Sequence, residues 1–161
     1  MAAVDYFLKI DGIDGESQDA KHKGEIELES FSFGGKQATS HGVGGGGGAG
    51  KVSLQDFHFV TKVNKSSPKL FLNCCNGTHM KTATLTCRKA GKDQQEYLKL
   101  TLSECLVSSF TSAGSVTDII PTDQVTLNFA KIEVEYKDQK ADGSLSGATK
   151  AGWDLKQNKS V

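Results

Sequence analysis

A chain of 161 residues is long enough to fold around one hydrophobic core, and its 37% apolar and 24% charged residues are those of an ordinary globular domain. Its 19 Lys and Arg balance 19 Asp and Glu, so it lacks the net positive field that gathers phosphate backbones or anionic lipid. With no apolar run long enough to span a bilayer, neither nucleic acid binding nor membrane insertion is expected. The opening MAAVDYFLKIDG carries Asp5 and Lys9 and has neither a basic n-region nor an unbroken apolar core, so it does not read as a secretory signal. Cys74, Cys75, Cys87 and Cys105 accordingly read as reduced, mostly buried thiols of a protein made in the cytoplasm, not as a disulfide framework.

In chain order, Val4 to Ile10 alternates as a strand, and DGIDGES, with Gly12 and Gly15, supplies the turn. In EIELESFSFGG the apolar parity set by Ile26 and Leu28 is reversed by Phe31 and Phe33, which predicts a bulge near Ser30. The same reversal recurs between Leu54 and Phe57 in KVSLQDFHFVTK, and between Phe129 and Ile132 in QVTLNFAKIEVEY. Long strands that bend through bulges are what a closing barrel uses. One stretch argues for helix: Ser67 as N-cap, Pro68 at the first helical position, then Leu70, Phe71, Cys74 and Cys75, closed by Asn76 and Gly77. KTATLTCRK, with Ala83, Leu85 and Cys87 on one face, and EYLKLTLSECLVSSF, with Leu98, Leu100, Leu102 and Leu106 on one face, read as strands of a hairpin joined by AGKDQQ. The pattern predicts a single mainly β domain over 1–161. An extended glycine-rich loop occupies 36–50, and the tail over 137–161 is polar apart from Trp153, which either anchors a last short strand or simply packs.

Three motifs invite chemistry. Gly45, Gly50 and Lys51 have the spacing of a phosphate-binding loop, but Val52 stands where a Ser or Thr must reach magnesium, and the run opens a strand where a helix N-terminus is needed. A long glycine loop of this kind is better read as a contact surface that orders on assembly. Cys75 and His79 are four apart, as in a two-ligand metal clip, yet Gly77 between them ends the helix and no second ligand pair exists, so packed thiols are expected. Glu25, Glu27 and Glu29 alternate with apolar residues as the solvated face of a strand does, not as paired glycosidase carboxylates. The chain has no G-x-S-x-G elbow, and His22, His41, His58 and His79 sit in unrelated local contexts, so no catalytic, cofactor or metal residue is assigned and no enzyme is expected.

Taken in order, DYFLKIDGIDGES, HGVGGGGGAGKVSLQDFHF, SSPKLFLNCCNGTH, LTCRKAG, EYLKLTLSECLVSSF, VTLNFAKIEVEY and the closing KADG and GW resemble the Hcp family, the haemolysin-coregulated, tube-forming proteins of bacterial type VI secretion. The resemblance implies a flattened β-barrel of two packed antiparallel sheets with one short α-helix, forming a hexameric ring whose copies stack into a hollow tube. It further implies assembly in the cytoplasm inside a contractile sheath, a VgrG-like spike at the tip, and secretion without a signal peptide with effector proteins in the lumen. By position, Gly42, Gly44, Gly45, Gly46, Gly47, Gly48 and Gly50 fall in the loop that meets the next ring, and Ser112 and Ser115 fall near the lumen as cargo-facing candidates. With so short a tail, a fused toxin domain, as some members of that family carry, is not expected. Two rivals predict otherwise: a monomeric ligand- or glycan-binding β-barrel, and a hydrolase assembled from distant residues.

Overall fold

The computed structural model describes residues 4–38, 51–89 and 93–161. The described chain runs β1 (Val4–Ile10), β2 (Ile26–Glu27), β3 (Ser30–Ser32), β4 (Gly35–Gln37), β5 (Val52–Leu54), β6 (Phe57–Lys62), α1 (Ser67–Asn76), β7 (Met80–Lys89), β8 (Glu96–Ala113), β9 (Thr122–Asn128), β10 (Lys131–Tyr136), β11 (Thr149–Asp154) and β12 (Lys159–Ser160). All strand pairings are antiparallel. A first sheet has the order β12-β11-β10-β8-β7-β1-β2, a second runs β8-β9-β6-β3, and β4 with β5 makes a separate ribbon.

The two sheets share β8. Its N-terminal part pairs with β7 and β10, and its C-terminal part pairs with β9. Between the two parts Glu104 takes a φ of 55°, a left-handed conformation that is rare for a residue with a side chain, and the register with β9 slips between Val107 and Ser109. The bend changes which side chains face inward: Leu100 and Leu102 are buried, and beyond Glu104 it is Cys105 and Val107 that are buried while Leu106 is only half-buried. The expected single face through Leu106 is therefore broken.

The three parity reversals are corners where the chain changes sheet, not bulges within one strand. At the first, Leu28 N–H donates to Tyr6 O of the first sheet, and the next residue, Glu29, donates to Val60 O of the second. At the second, β5 belongs to the small ribbon and β6 to the second sheet. At the third, β9 ends at Asn128 and β10 begins at Lys131; Ala130 N–H donates to Ser103 O and so rejoins the first sheet.

Between the sheets lie Leu8, Ile10, Leu85, Leu100 and Leu102 from the first, Phe57, Phe59, Val125 and Leu127 from the second, and Leu70 from α1. Each such side chain contributes about 1.5 to 3 kcal/mol by leaving water. The helix begins one residue earlier than the sequence suggests: Ser66 is the N-cap, with no side-chain cap bond, and Pro68 lies within the first turn. Ser67 is diverted from capping because its hydroxyl donates to the buried carboxylate of Asp123 on β9, tying the helix start to the second sheet. Gly77 closes the helix in the left-handed conformation at φ 67°, donating to Asn73 O. Trp153 does anchor a late strand in the tail: β11 pairs along the whole of β10 and sets Trp153 opposite Ile132.

Candidate assembly surfaces

Three regions of the described surface stand apart. The first covers the outward face of the first sheet. Phe7 points away from Leu8 and Ile10 yet is buried, because the segment between β1 and β2 folds back over it. That fold-back needs Gly15, where a Cβ would lie 2.5 Å from Glu25 O and 2.7 Å from the Ile26 Cα. It brings the His22 ring into a stack on Phe7 with centroids 4.4 Å apart, and the Arg88 guanidinium lies 4.8 Å from the same ring centroid. The His22 Nδ1 is 2.8 Å from Glu25 Oε2 and its Nε2 is 2.7 Å from Glu96 Oε1. Arg88 donates to Asp19 through both terminal nitrogens, at 3.1 and 2.7 Å, and to Asp5 at 3.0 Å. The hydrogen bonds from Arg88 hold the Asp19 carboxyl down at about 2, and the same bonds push the guanidinium up. Every charge here is used internally, so this cluster fixes the fold.

The second region is the outward face of the second sheet. Cross-strand register lines up Ser32, His58, Thr126 and Ser109 in one row. Beside it Asp56 accepts from Ser108 Oγ at 2.6 Å and from Asn128 Nδ2 at 3.0 Å, and Thr126 Oγ1 lies 2.6 Å from Ser109 Oγ. Short polar side chains bonded to one another give a wet surface of little charge. His58 alternates outward from buried Phe57 and Phe59, as the sequence pattern indicates.

The third region is the β8–β9 hairpin. Ser112 and Ser115 are both exposed there, and Ser115 Oγ lies 2.9 Å from Thr117 Oγ1. The hairpin tip is also apolar, with Val116 and Ile119 fully exposed and Ile120 half so. Gly42, Gly44, Gly45, Gly46, Gly47, Gly48 and Gly50 lie outside the described residues; β4 and β5 pair at the base from which their segment leaves.

The motifs that suggested chemistry are accounted for separately. Burial pushes the Cys87 and Cys105 thiols up to about 12, so neither is a thiolate at neutral pH. Cys75 is exposed on α1, with left-handed Gly77 between it and His79, and among the described residues no three His, Cys, Asp or Glu side chains group as a metal site. Glu27 and Glu29 are solvated, whereas Glu25 is drawn in by His22.

The fold has close parallels. The family model described as "type VI secretion system effector, Hcp" matches residues 7–136. The chain belongs to the Hcp family. It is 48% identical over 158 residues to protein hcp1 of Pseudomonas aeruginosa, covering 97% of this chain and 98% of that one. Among solved structures, Hcp1 from Salmonella typhimurium superposes with a TM-score of 0.83 at 39% identity, covering 99% of this chain and 100% of the other. A structure described as a type six secretion system protein reaches a TM-score of 0.93 at 26% identity, with the same coverage. Hcp proteins are secreted tube proteins of type VI secretion that assemble as rings, and the mainly β architecture of two sheets and one helix seen here is that of the Hcp hexameric ring subunit.

Two features of the Hcp chain had no signal in the sequence. His22 meets Glu96 across 74 residues, and Arg88 meets Asp19 across 69. The apolar hairpin tip was readable from VTDII but lay in a segment notable for its serines.

Proposed function

We propose that this chain is a non-catalytic structural subunit whose hexameric rings stack into a hollow tube, assembled in the cytoplasm within a contractile sheath beneath a VgrG-like spike. The tube is expelled from the cell with effectors in its lumen. Membership of the Hcp family along nearly the whole chain carries this reading. The interior supports it too: a ligand-binding barrel keeps its ligand between the sheets, and here that space is filled by Phe57, Phe59, Leu70 and Leu100. Ser112 and Ser115 face the lumen in this reading, and the small polar row of Ser32, His58, Thr126 and Ser109 offers a surface of the same kind. The loop carrying Gly42 to Gly50 meets the neighbouring ring.

Native mass spectrometry of the purified chain, followed by negative-stain imaging of the same sample, tests the proposal. A sixfold mass and ring-shaped particles are the expected result. A monomer that persists at high concentration would sink the tube reading and favour a ligand-binding barrel.

A further inference from the structure

We propose that the tip of the β8–β9 hairpin, through Val116 and Ile119, is a docking element that packs against a second copy of this chain. The proposal rests on the ring reading above and names a surface within it. Two aliphatic side chains with no burial at all, beside a third that is 45% exposed, are a costly thing to hold in water unless something covers them. Their surroundings are poor in charge, as the centre of an interface is: between Cys105 and Thr122 the single charged residue is Asp118, in a chain that is 24% charged.

The tip is also held in shape before any partner arrives. Asp118 N–H donates to Ser115 O at 2.9 Å, Val63 N–H donates to Pro121 O at 2.9 Å, and the strands beneath are paired as far as Ala113 and Thr122. Little conformational freedom is left to lose on contact, which strengthens binding for a given area. Of the occupants such a tip could take, an anionic membrane is disfavoured because the charge on the tip is an acid, with no Lys or Arg from Leu106 to Gln124. A second copy is favoured because the family assembles from its own copies, and because a formal net charge of +0 sets up no overall repulsion between them. In a closed ring such a contact is heterologous, the tip of one copy meeting a different patch on the next.

The double variant Val116→Asp with Ile119→Asp, and the milder Ile119→Ser, are compared with the wild-type chain by native mass spectrometry across a concentration series. Circular dichroism and thermal melting at a concentration where all are monomeric report folding. The expected result is that both variants fold as the wild type does, while half-assembly of the double variant needs at least tenfold higher concentration. Wild-type rings together with unchanged assembly of the folded double variant would overturn the contact and leave the ring reading intact. A wild-type chain that never assembles overturns both. Vesicles of phosphatidylcholine and phosphatidylglycerol that retain the wild type but not the double variant, with assembly unchanged, would overturn it in favour of lipid.

Discussion

The segment that folds over Phe7 and the tip of the β8–β9 hairpin are both loops beyond the core, and they use their side chains in opposite ways. The first collects six ionisable groups, Asp5, Asp19, His22, Glu25, Arg88 and Glu96, and pairs each of them within the subunit. The second has one charge and turns its aliphatic side chains outward. Polarity alone therefore misleads about where a protein is stable and where it is sociable. Charges that satisfy one another close a surface, and apolar groups that nothing covers open one.

Replacing the same kind of contact in each loop separates the two uses. Arg88→Ala removes the partner of the Asp19 and Asp5 carboxylates and uncovers Phe7, and is expected to lower unfolding free energy in urea by about 1.5 to 3 kcal/mol, the range for hydrogen bonds to a charged group, because both carboxylates keep part of their surface in water. The acid limb of stability should change with it. The Asp19 carboxyl is held at about 2 instead of 3.8, so its contribution is present above the ordinary value and is lost as pH falls through about 2. A melting series from pH 5 to pH 2 should show that loss in the wild type and a shallower one in the Arg88 variant; equal slopes would break the assignment. Gly15→Ala, which forces a Cβ onto the Glu25 carbonyl, is expected to cost about 1 to 3 kcal/mol, as overpacking does.

How much of this was visible beforehand depends on how far apart the partners lie. Alternation identified the strands, and Pro68 with Gly77 bounded the helix, because those signals are local. The parity reversals at Leu28 and Phe31, Leu54 and Phe57, and Phe129 and Ile132 were legible as bends. Parity cannot tell whether the chain bends within one sheet or leaves it for another, so corners were read as bulges. In β8 the even spacing of Leu98, Leu100, Leu102 and Leu106 concealed a reversal that only the backbone at Glu104 produces. The cluster around Phe7 joins residues about 70 positions apart and has no local trace.

Smaller effects sharpen the contrast. Glu104→Gly relieves a left-handed backbone at the bend of β8 and should change stability by no more than about 1 kcal/mol, relief and added chain freedom opposing each other. Ile119→Ser should leave monomer stability within about 0.5 kcal/mol of wild type, since the side chain is already in water. In a thiol-reagent time course at neutral pH, exposed Cys75 should react at once, while Cys87 and Cys105 wait for unfolding; early labelling of either would show that the sheets open locally.

Because β8 gives its N-terminal part to one sheet and its C-terminal part to the other, opening either sheet disturbs the strand that holds the other. Amide hydrogens of β8 on either side of Glu104 should therefore exchange with deuterium together and last, at the rate set by global opening. A pull on one sheet is thereby passed to the other through one continuous covalent strand.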